Sequence, residues 1–318
     1  MKKQITALSI FILIILFFVQ KEISFESIPY IHDDKQVVTP VTSKPSSLFE
    51  QLEEAAATYN EPPVDAVVDK VWKAIPGYNG KMVDIKASYE KMKKEGSFDE
   101  RKLVFEDIEP EVHLEDLPPA PIYKGNPQKP MAAFLINVSW GEEHLPSILK
   151  TLREEKVKAT FFLEGRWVQK NPKLAKMIEE EGHEIGSHAY SHPDLNATPR
   201  AGIKEELQKT NEALEAVLSV KPTLFAPPSG SFNQDVVEIA SDLNMYTILW
   251  TVDTIDWKNP EPIDMAVKTA SKVENGSMIL MHPTASTAGG LKVMIRNIKE
   301  KDIELDTVTN LFDETRIR

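Results

Sequence analysis

The sequence predicts an α/β fold, a closed or nearly closed (β/α) barrel that follows a small α+β module. From Met131 onward, apolar runs typical of buried strands alternate with segments of helical period. The apolar runs contain few polar residues, which is typical of a parallel sheet covered by helices. About seven strand–helix units fit within residues 131–318, close to the eight of a complete barrel.

Changes of hydrophobic period place each element of the barrel. Strands are predicted at Met131–Val138, Val157–Leu163, Glu184–His188, Thr223–Ala226, Met245–Val252, Gly276–His282 and Glu304–Val308. Helices are predicted at Glu142–Glu155, Pro172–Glu181, Ile203–Val217, Asp235–Leu243, Met265–Val273 and Leu291–Lys299. In such barrels the chemistry lies at the C-terminal ends of the strands, so the residues that follow each strand are candidates for a site.

The N-terminus predicts the location of the protein. Lys2 and Lys3 precede the apolar run Ile5–Val19, which is shorter than the roughly 20 residues that comfortably span a bilayer. Residues 1–22 are therefore a signal peptide or a membrane anchor, and the lack of a small-x-small cleavage site favours an uncleaved anchor. Because the positive charge stays inside, both alternatives place the remaining chain outside the cytoplasm, in the cell envelope.

Composition divides the region between this segment and the barrel. Residues 23–47 are rich in Val, Thr, Pro and Ser and are expected to form a linker. Residues 48–98 are expected to form the small α+β module, with a helix around Leu52, a second helix at Val64–Trp72 and a strand at Val83–Tyr89. The module contains no pattern that indicates chemistry, so a packing accessory is the simpler interpretation.

A second linker is expected at residues 99–130. This segment is rich in Asp, Glu and Pro, and both charge and proline oppose regular structure. His113 lies within it and is expected to be solvated. The barrel domain then occupies residues 131–318.

Charge and cysteine content exclude several classes of function. The net charge is −12 and there is no basic cluster, which argues against a nucleic-acid partner because such binding depends on neutralising phosphates. The chain contains no cysteine, which excludes disulfides, cysteine–zinc sites, thiol nucleophiles and a lipoprotein anchor.

Two histidines with ligand spacing stand at the end of a predicted strand. His188 and His192 are four residues apart, so one helical turn would place both imidazoles on the same face. Neutral imidazole is a common ligand of zinc and similar metals. Two surface histidines on a polar loop remain the alternative.

A set of five segments occurs in the order of a known group of motifs. The segments are Val157–Phe162, Gly186–Leu195, Phe225–Asn233, Asp253–Trp257 and Leu280–His282. They resemble the motifs of the polysaccharide deacetylases, the family of the chitooligosaccharide deacetylases defined by NodB homology, which include Asp-x-x-Asp-Trp and Leu-x-His. The resemblance covers roughly residues 130–312 and implies a distorted (β/α) barrel.

The resemblance implies metal-dependent hydrolysis of N-acetyl groups. In that family one aspartate and two histidines hold a divalent metal, which activates water for attack on the acetyl carbonyl. His188 and His192 take the two histidine positions, which implies a divalent metal cofactor such as zinc. The implied partner is an N-acetylated envelope glycan such as peptidoglycan.

The remaining motif residues take the other roles that the resemblance implies. His282 takes the position of the acid that protonates the leaving amine, with Asp253 as its partner. Trp257 takes the position that lines the acetyl pocket. The backbone N–H of Ser229 could stabilise an oxyanion, since that role needs no particular side chain.

Three positions depart from the family pattern. Aligned from the strand, Asn137 replaces the catalytic base and Val138 replaces the metal-binding aspartate. Aligned on the following glycine, Ser139 and Trp140 replace them instead. Ala226 stands where the family has the arginine that holds the base. Neither alignment supplies a carboxylate, and an asparagine cannot act as a base near neutral pH.

Two further details qualify the resemblance. The tripeptide Ser139–Gly141 resembles the sequence found at this position in a branch of the family from sporulating bacteria. Glu142, Glu143 and Asp194 are alternatives for the missing oxygen ligand, although acids at a helix N-terminus are also favoured by the helix dipole.

Two functions from different classes follow. The first is a metal-dependent N-deacetylase of an envelope glycan, with weak or altered activity because the base, the metal-binding aspartate and the arginine are missing. The second is a non-catalytic glycan-binding or scaffolding protein on the same fold. The missing groups favour the second function. The first is favoured by the motif residues that are present, which are His188, His192, Asp253, Trp257 and His282.

Overall fold

The computed structural model of the protein describes residues 47–317. The predicted N-terminal anchor and nearly all of the first predicted linker lie outside the described residues. Within residues 47–317, no helix combines the length and the apolar character needed to cross a membrane. The described residues belong to one compact unit.

The elements follow one another as short strands and helices. The strands are β1 (Val67–Asp69), β2 (Lys73–Ile75), β3 (Gly80–Val83), β4 (Phe105–Ile108), β5 (Met131–Val138), β6 (Thr160–Leu163), β7 (Glu184–Ser187), β8 (Leu224–Phe225), β9 (Tyr246–Thr247), β10 (Val252–Asp253), β11 (Met278–Met281) and β12 (Glu304–Asp306). The helices are α1 (Leu48–Tyr59), α2 (Ile85–Met92), α3 (Leu145–Glu155), α4 (Gly165–Lys170), α5 (Pro172–Glu180), α6 (Arg200–Leu218), α7 (Gln234–Asp242), α8 (Pro262–Lys272), α9 (Ala285–Lys299) and α10 (Val308–Phe312).

The barrel strands form a parallel sheet. Its order is β10–β11–β5–β6–β7–β8–β9, and β12 pairs with β5. Helices separate most successive strands and cover one face of the sheet, as expected for right-handed strand–helix–strand connections. The predicted distorted (β/α) barrel is confirmed.

One predicted strand, Met245–Val252, is divided into β9 and β10 at the two ends of the sheet order. The N–H of Ile248 donates to the carbonyl of Phe225 in β8 (2.7 Å), and the N–H of Thr251 donates to the carbonyl of Met278 in β11 (3.0 Å). The same segment therefore bonds first to one end of the sheet and then to the other. The curled sheet nearly closes there.

Alternation along β5 decides which side chains reach the barrel interior. Phe134, Ile136 and Val138 belong to the apolar cluster under the helices. Leu135 belongs to the cluster inside the barrel. Because successive side chains of a strand point to opposite faces, Asn137 is the next residue on the interior side.

The N-terminal module differs from its predicted elements, although α1 confirms the first predicted helix. The predicted helix Val64–Trp72 is wrong, because β1 and β2 pair there as an antiparallel hairpin. Asp69 Oδ1 accepts hydrogen bonds from the N–H groups of Val71 (2.7 Å) and Trp72 (2.8 Å), which closes the turn. The valines suit a strand, and their helical spacing was too short a pattern to decide.

The predicted strand Val83–Tyr89 is also wrong. β3 ends at Val83 and pairs with β4, and α2 begins at Ile85. Asp84 is the N-cap residue of α2, and its carboxylate accepts a hydrogen bond from the N–H of Ala87 at 2.8 Å. The cap therefore replaces a regular strand at this point.

The segment 99–130 is more ordered than its charge and proline content predicts. It contains β4, and its Ile122 is fully buried and bridges Ile248 of the barrel. Lys129 is also buried and donates a hydrogen bond to the carbonyl of Asn310 at 2.6 Å. Its later part packs on the barrel, whereas the domain boundaries themselves stay a prediction.

The residues after α10 contact the N-terminal module. Glu314 bonds to Nδ1 of His113 at 2.7 Å, and this hydrogen bond raises the pKa of His113, so the expectation of a merely solvated histidine is wrong. Arg316 donates to the carbonyl of Asn79 at 3.0 Å and pairs with Glu61. The last described residues therefore join the module to the rest of the compact unit.

Candidate functional site

A cavity of about 390 Å³ lies at the C-terminal ends of the barrel strands. Its walls come from the ends of several strands and from the loops that follow them. The lining residues are Asn137, Ser139, Trp140, His188, His192, Ser229, Trp250, Asp253, Trp257, Leu280 and His282. The structure thus brings together all of the predicted site residues except Val138 and Ala226.

His188 and His192 contact each other at one wall of this cavity. Their ring centroids are 5.1 Å apart and their planes are inclined by 73°. The predicted helical turn between them is wrong, because the segment is a loop in which Ala189 and His192 have φ of 60° and 57°. These left-handed residues reverse the chain and bring the two rings together.

Both imidazoles are held in the neutral form. The Nδ1 atom of His188 lies 2.7 Å from the carbonyl oxygen of Ala226, so Nδ1 carries the proton and Nε2 keeps its lone pair. Burial, and secondly the nearby His192, lowers the pKa of His188 to about 3. Burial also lowers the pKa of His192. The neutral imidazole is the form that binds metals.

The predicted pairing of His282 with Asp253 is wrong, because the partner is Asp256. Asp256 Oδ1 accepts from Nδ1 of His282 at 2.9 Å, and Oδ2 accepts from the backbone N–H of His282 at 2.6 Å. The same Oδ2 accepts from the hydroxyl of Thr287 at 2.6 Å. Since Asp256 is fully buried, this network fixes the tautomer and orientation of His282 and leaves Nε2 as the nitrogen for proton exchange.

A local turn explains which aspartate reaches the histidine. Asp253 ends β10, and its Oδ1 accepts a hydrogen bond from the N–H of Ile255 at 2.7 Å. Ile255 has φ of 56°, a left-handed conformation that turns the chain immediately before Asp256. Asp253 therefore lines the cavity without contacting His282 through a hydrogen bond.

The end of β5 carries no carboxylate. Asn137 and Ser139 line the cavity, whereas Val138 is fully buried under the helices and cannot stand for a metal ligand. The strand alternation explains this, because positions 137 and 139 share the interior side. Oδ1 of Asn137 is buried and has no hydrogen-bond partner within the part of the chain that the structure describes, whereas the Ser139 side chain faces the carboxyl group of Glu164.

Trp140 forms a flat wall against His282. The two rings are nearly parallel, with an interplanar angle of 9° and centroids 6.0 Å apart. Gly141 follows with φ of 80°, and a Cβ at this position would lie 2.0 Å from the carbonyl oxygen of Pro283. Only glycine permits this approach, which holds the turn after β5 against the turn after β11.

The three remaining predicted residues have different positions. Trp257 lines the cavity with its side chain about half exposed, and Ser229 lines it from a left-handed backbone position with φ of 55°. The Ala226 side chain is buried inside the barrel and does not line the cavity. Ala226 takes part through its carbonyl oxygen, which orients His188.

Comparison with known proteins identifies the family. Residues 124–248 match the sequence model of the family described as Polysaccharide deacetylase. The chain is also 51% identical over 308 residues to YlxY, an uncharacterized protein of Bacillus subtilis, with 96% of this chain and 97% of YlxY covered. The chain belongs to the polysaccharide deacetylase family.

Other members of the polysaccharide deacetylase family are similar to different extents. A CE4 family pseudoenzyme from Bacillus anthracis is 49% identical, with a TM-score of 0.81 over 86% of this chain and 97% of that chain. A mutant of that pseudoenzyme with restored enzymatic activity is 48% identical, with a TM-score of 0.81 over 86% of this chain and 100% of that chain. A peptidoglycan-N-acetylglucosamine deacetylase of Bacillus cereus is 33% identical over 184 residues, which are 55% of this chain and 66% of that protein.

Polysaccharide deacetylases are generally metal-dependent, and the donor set of this member does not fit a catalytic metal. Within residues 47–317, no group of three or more His, Cys, Asp or Glu side chains is placed to hold an ion. Glu142, Glu143 and Asp194 do not line the cavity. Asp194 instead accepts a hydrogen bond from the Ser231 hydroxyl. Two imidazoles alone are fewer than the three protein ligands that a catalytic zinc usually has.

Sequence reasoning missed two features of this polysaccharide deacetylase site. The Asp-x-x-Asp-Trp motif contains two aspartates. Their spacing in the sequence does not indicate which of them, Asp253 or Asp256, contacts His282. The alignment on the glycine treats Trp140 only as a replacement for an aspartate, whereas in the structure its ring lies parallel to His282 and forms a wall of the cavity. Its place just after a predicted strand was the available signal for a lining residue.

Proposed function

We propose that this polysaccharide deacetylase-family protein binds an N-acetylated envelope glycan, such as peptidoglycan, in the cavity and hydrolyses it weakly or not at all. The observation that carries the proposal is the incomplete donor set, since no carboxylate among residues 47–317 joins His188 and His192 in a group that could hold a metal. A divalent metal is therefore bound weakly or not at all. Without that metal and a base, water is not activated for attack on an acetyl carbonyl.

The walls of the cavity support glycan binding. Trp140, Trp250 and Trp257 all line it, and the Trp140 and Trp257 side chains are about half exposed. Indole rings offer large flat apolar faces at low entropic cost, which suits the apolar face of a sugar ring. The peptidoglycan-N-acetylglucosamine deacetylase of Bacillus cereus is 33% identical over the matched residues, which supports peptidoglycan as the glycan.

A weak hydrolase is the second candidate, and one observation favours it. The network of Asp256, His282 and Thr287 is complete and presents the acid in one tautomer. Such an orienting carboxylate is what a general acid needs to protonate a leaving amine. Hydrolysis by this route would still need a nucleophile that the cavity walls do not activate.

The location and attachment of the protein are part of the proposal. The predicted N-terminal anchor holds the chain at the membrane, and the compact unit lies on the extracytoplasmic side, where the glycan is. The resemblance of Ser139–Gly141 to a branch from spore-forming bacteria, together with the Bacillus relatives, supports a role in sporulation.

The test uses residues 47–318. The described part of this span forms one compact unit. The solved structures of the Bacillus anthracis pseudoenzyme align with 86% of this chain, and the alignment covers at least 97% of each solved chain. Calorimetry measures binding of N-acetylglucosamine oligomers and peptidoglycan fragments. Acetate release is measured on the same ligands with and without zinc or cobalt, and with His282→Ala as the control.

Binding with acetate release near the uncatalysed rate is the expected result. Metal-dependent release that His282→Ala abolishes would replace the proposal with the weak hydrolase. A folded sample that binds none of these glycans would contradict both candidates.

A further inference from the structure

The β5 side of the cavity carries hydrogen-bonding capacity that the protein itself does not use. Asn137 is 4% exposed, and its Oδ1 has no partner within residues 47–317. Ser139, two residues further on, faces the Glu164 carboxyl group instead. A buried acceptor without a partner costs free energy on folding, which a bound ligand recovers when it supplies the missing donor.

We propose that the cavity reads the acetylation state of a glycan, with Asn137 as the residue that recognises the acetamido group. A sugar with its N-acetyl group binds, and the same sugar with a free amine is rejected. This inference rests on the proposed glycan-binding function and adds the chemical group that decides which glycan is bound.

The chemistry of the asparagine matches an acetamide. The acetamido group is uncharged and offers one N–H donor and one carbonyl acceptor. The Asn137 amide can accept that N–H through Oδ1, or it can rotate about its last bond and donate Nδ2 to the carbonyl instead. His188, whose Nδ1 faces the carbonyl of Ala226, and Ser229 line the same cavity and add no carboxylate to it.

A free sugar amine is a poor fit to the same place because it becomes an ammonium ion when protonated. Transfer of a cation to a buried position is costly unless a carboxylate pairs with it. Asn137 supplies an amide where the family has a carboxylate in the alignment from the strand. The site therefore penalises the product of deacetylation more than the acetylated sugar.

Two carboxylates on the His282 side of the cavity face other partners, and a third, Glu164, lies against the Ser139 side chain without lining the cavity. Asp256 is fully buried and accepts three hydrogen bonds from His282 and Thr287. Asp253 lines the cavity, but it ends β10, which β11 separates from β5 by roughly 10 Å across two strand spacings. One of its oxygens also accepts the N–H of Ile255. Neither carboxylate shares the strand of Asn137.

The aromatic walls make the discrimination measurable. Stacking on Trp140 and Trp257 depends on the sugar ring, which acetylated and deacetylated oligomers share. Any difference between the two affinities therefore comes from the group on nitrogen. The ratio of the two dissociation constants therefore measures the contribution of Asn137 to selectivity, independently of the overall strength of binding.

The experiment compares an N-acetylglucosamine tetramer with the matched glucosamine tetramer on residues 47–318, in mildly acidic buffer with a chelator. The wild-type protein is expected to prefer the acetylated tetramer by about tenfold or more. Asn137→Asp is expected to reduce that preference about tenfold, because it places a carboxylate beside the amine. Asn244→Asp is the matched control, since Asn244 is exposed, lies at the opposite end of β9 and undergoes the same change of charge.

The outcomes separate this inference from the proposed function. Equal binding of both tetramers, or an unchanged ratio in a folded Asn137→Asp variant, overturns the reading of acetylation while glycan binding stands. Failure of the wild type to bind either tetramer overturns both proposals. If Asn137→Asp does not fold, Asn137→Ser replaces it, with an expected selective loss of affinity for the acetylated tetramer.

Discussion

The two sides of the cavity differ in how far their polar groups are satisfied. On the β11 side, Asp256 accepts hydrogen bonds from the backbone N–H and the Nδ1–H of His282 and from the Thr287 hydroxyl, all between 2.6 and 2.9 Å. On the β5 side, the buried Oδ1 of Asn137 has no partner in the described part of the chain. The side that resembles the catalytic acid is complete, and the side that would supply the base and the metal carboxylate is not.

The difference between the two sides distinguishes residues that stabilise the fold from residues that decide whether the site can catalyse hydrolysis. Asp256 joins the loop after β10 to the start of α9, so it holds the fold together as well as orienting His282. Within residues 47–317, Asn137 contributes no hydrogen bond to the fold through Oδ1. An intact acid is therefore weak support for hydrolysis, whereas an unpartnered asparagine is direct support for a change of chemistry.

The largest expected effect is the loss of the complete side. Asp256→Ala leaves three donors of His282 and Thr287 without their acceptor and is expected to lower the free energy of unfolding by about 3–5 kcal/mol. Asp253→Ala removes one local hydrogen bond at the cavity rim and is expected to cost about 1 kcal/mol or less. Urea denaturation measures both. Equal losses would show that the two aspartates support the fold alike.

Acidic conditions are expected to lower the free energy of unfolding through a histidine that lies outside the cavity. Burial, and secondly the charge of Lys158, lowers the pKa of His183 from 6.5 to about 4. Since the folded protein holds this histidine neutral, its contribution is present above pH 6.5 and is lost as the pH falls towards 4. The expected loss across this window is about 3 kcal/mol.

The measurement is the free energy of unfolding as a function of pH for the wild type and for His183→Gln. The glutamine can accept the N–H of Ala159 that Nδ1 of His183 accepts, without becoming charged. The variant is expected to lose less stability on acidification. Parallel curves for the two proteins would mean that another group dominates the pH dependence.

A carboxylate on the incomplete side should restore part of the missing chemistry. Asn137→Asp is expected to raise the zinc affinity of the His188–His192 pair about tenfold, because it adds an anionic ligand at the same cavity. Competition with a fluorescent chelator measures this affinity. The restored activity of a mutant of the Bacillus anthracis pseudoenzyme makes acetate release the second readout. Zinc affinity equal to that of the wild type would show that Asn137 does not face the pair.

The smallest expected effect tests the aromatic wall that both sides share. Trp140→Ala is expected to weaken binding of N-acetylglucosamine oligomers by about 1 kcal/mol, roughly fivefold, through lost stacking. Trp72→Ala is the matched control, since Trp72 is also exposed but lies on the β1–β2 hairpin. NMR titration gives both dissociation constants. A similar loss in both variants would argue against a specific role of Trp140.

The barrel was predictable from the sequence, and the N-terminal module was not. A buried parallel strand such as β5 is a continuous apolar run, and the longer barrel helices have a periodic apolar face, whereas the short helices α4 and α10 were not predicted. In the module the elements are three to twelve residues long, and local hydrogen bonds decide them. The Asp69 turn and the Asp84 cap both override a short periodic pattern.

The candidate site was predictable in its membership more than in its contacts. Strand ends and motif spacing placed His188, His192 and His282 together, because parallel strands deliver their C-terminal ends to one edge. The partner of His282 depends on the left-handed turn at Ile255, and the place of Val138 depends on the parity of β5. The handedness of a turn and the face of a strand on which a residue lies are properties of the folded backbone. The residues of the motifs do not determine them.

The contact between Arg316 and Glu61 has a consequence for how the protein is made. The two residues are 255 positions apart, so the ribosome adds Arg316 roughly ten to fifty seconds after Glu61. During that interval the module lacks the ion pair and the contact of Glu314 with His113. Early segments must therefore wait for late ones, and the nascent chain is exposed to misfolding and chaperone binding for longer than a domain with local contacts.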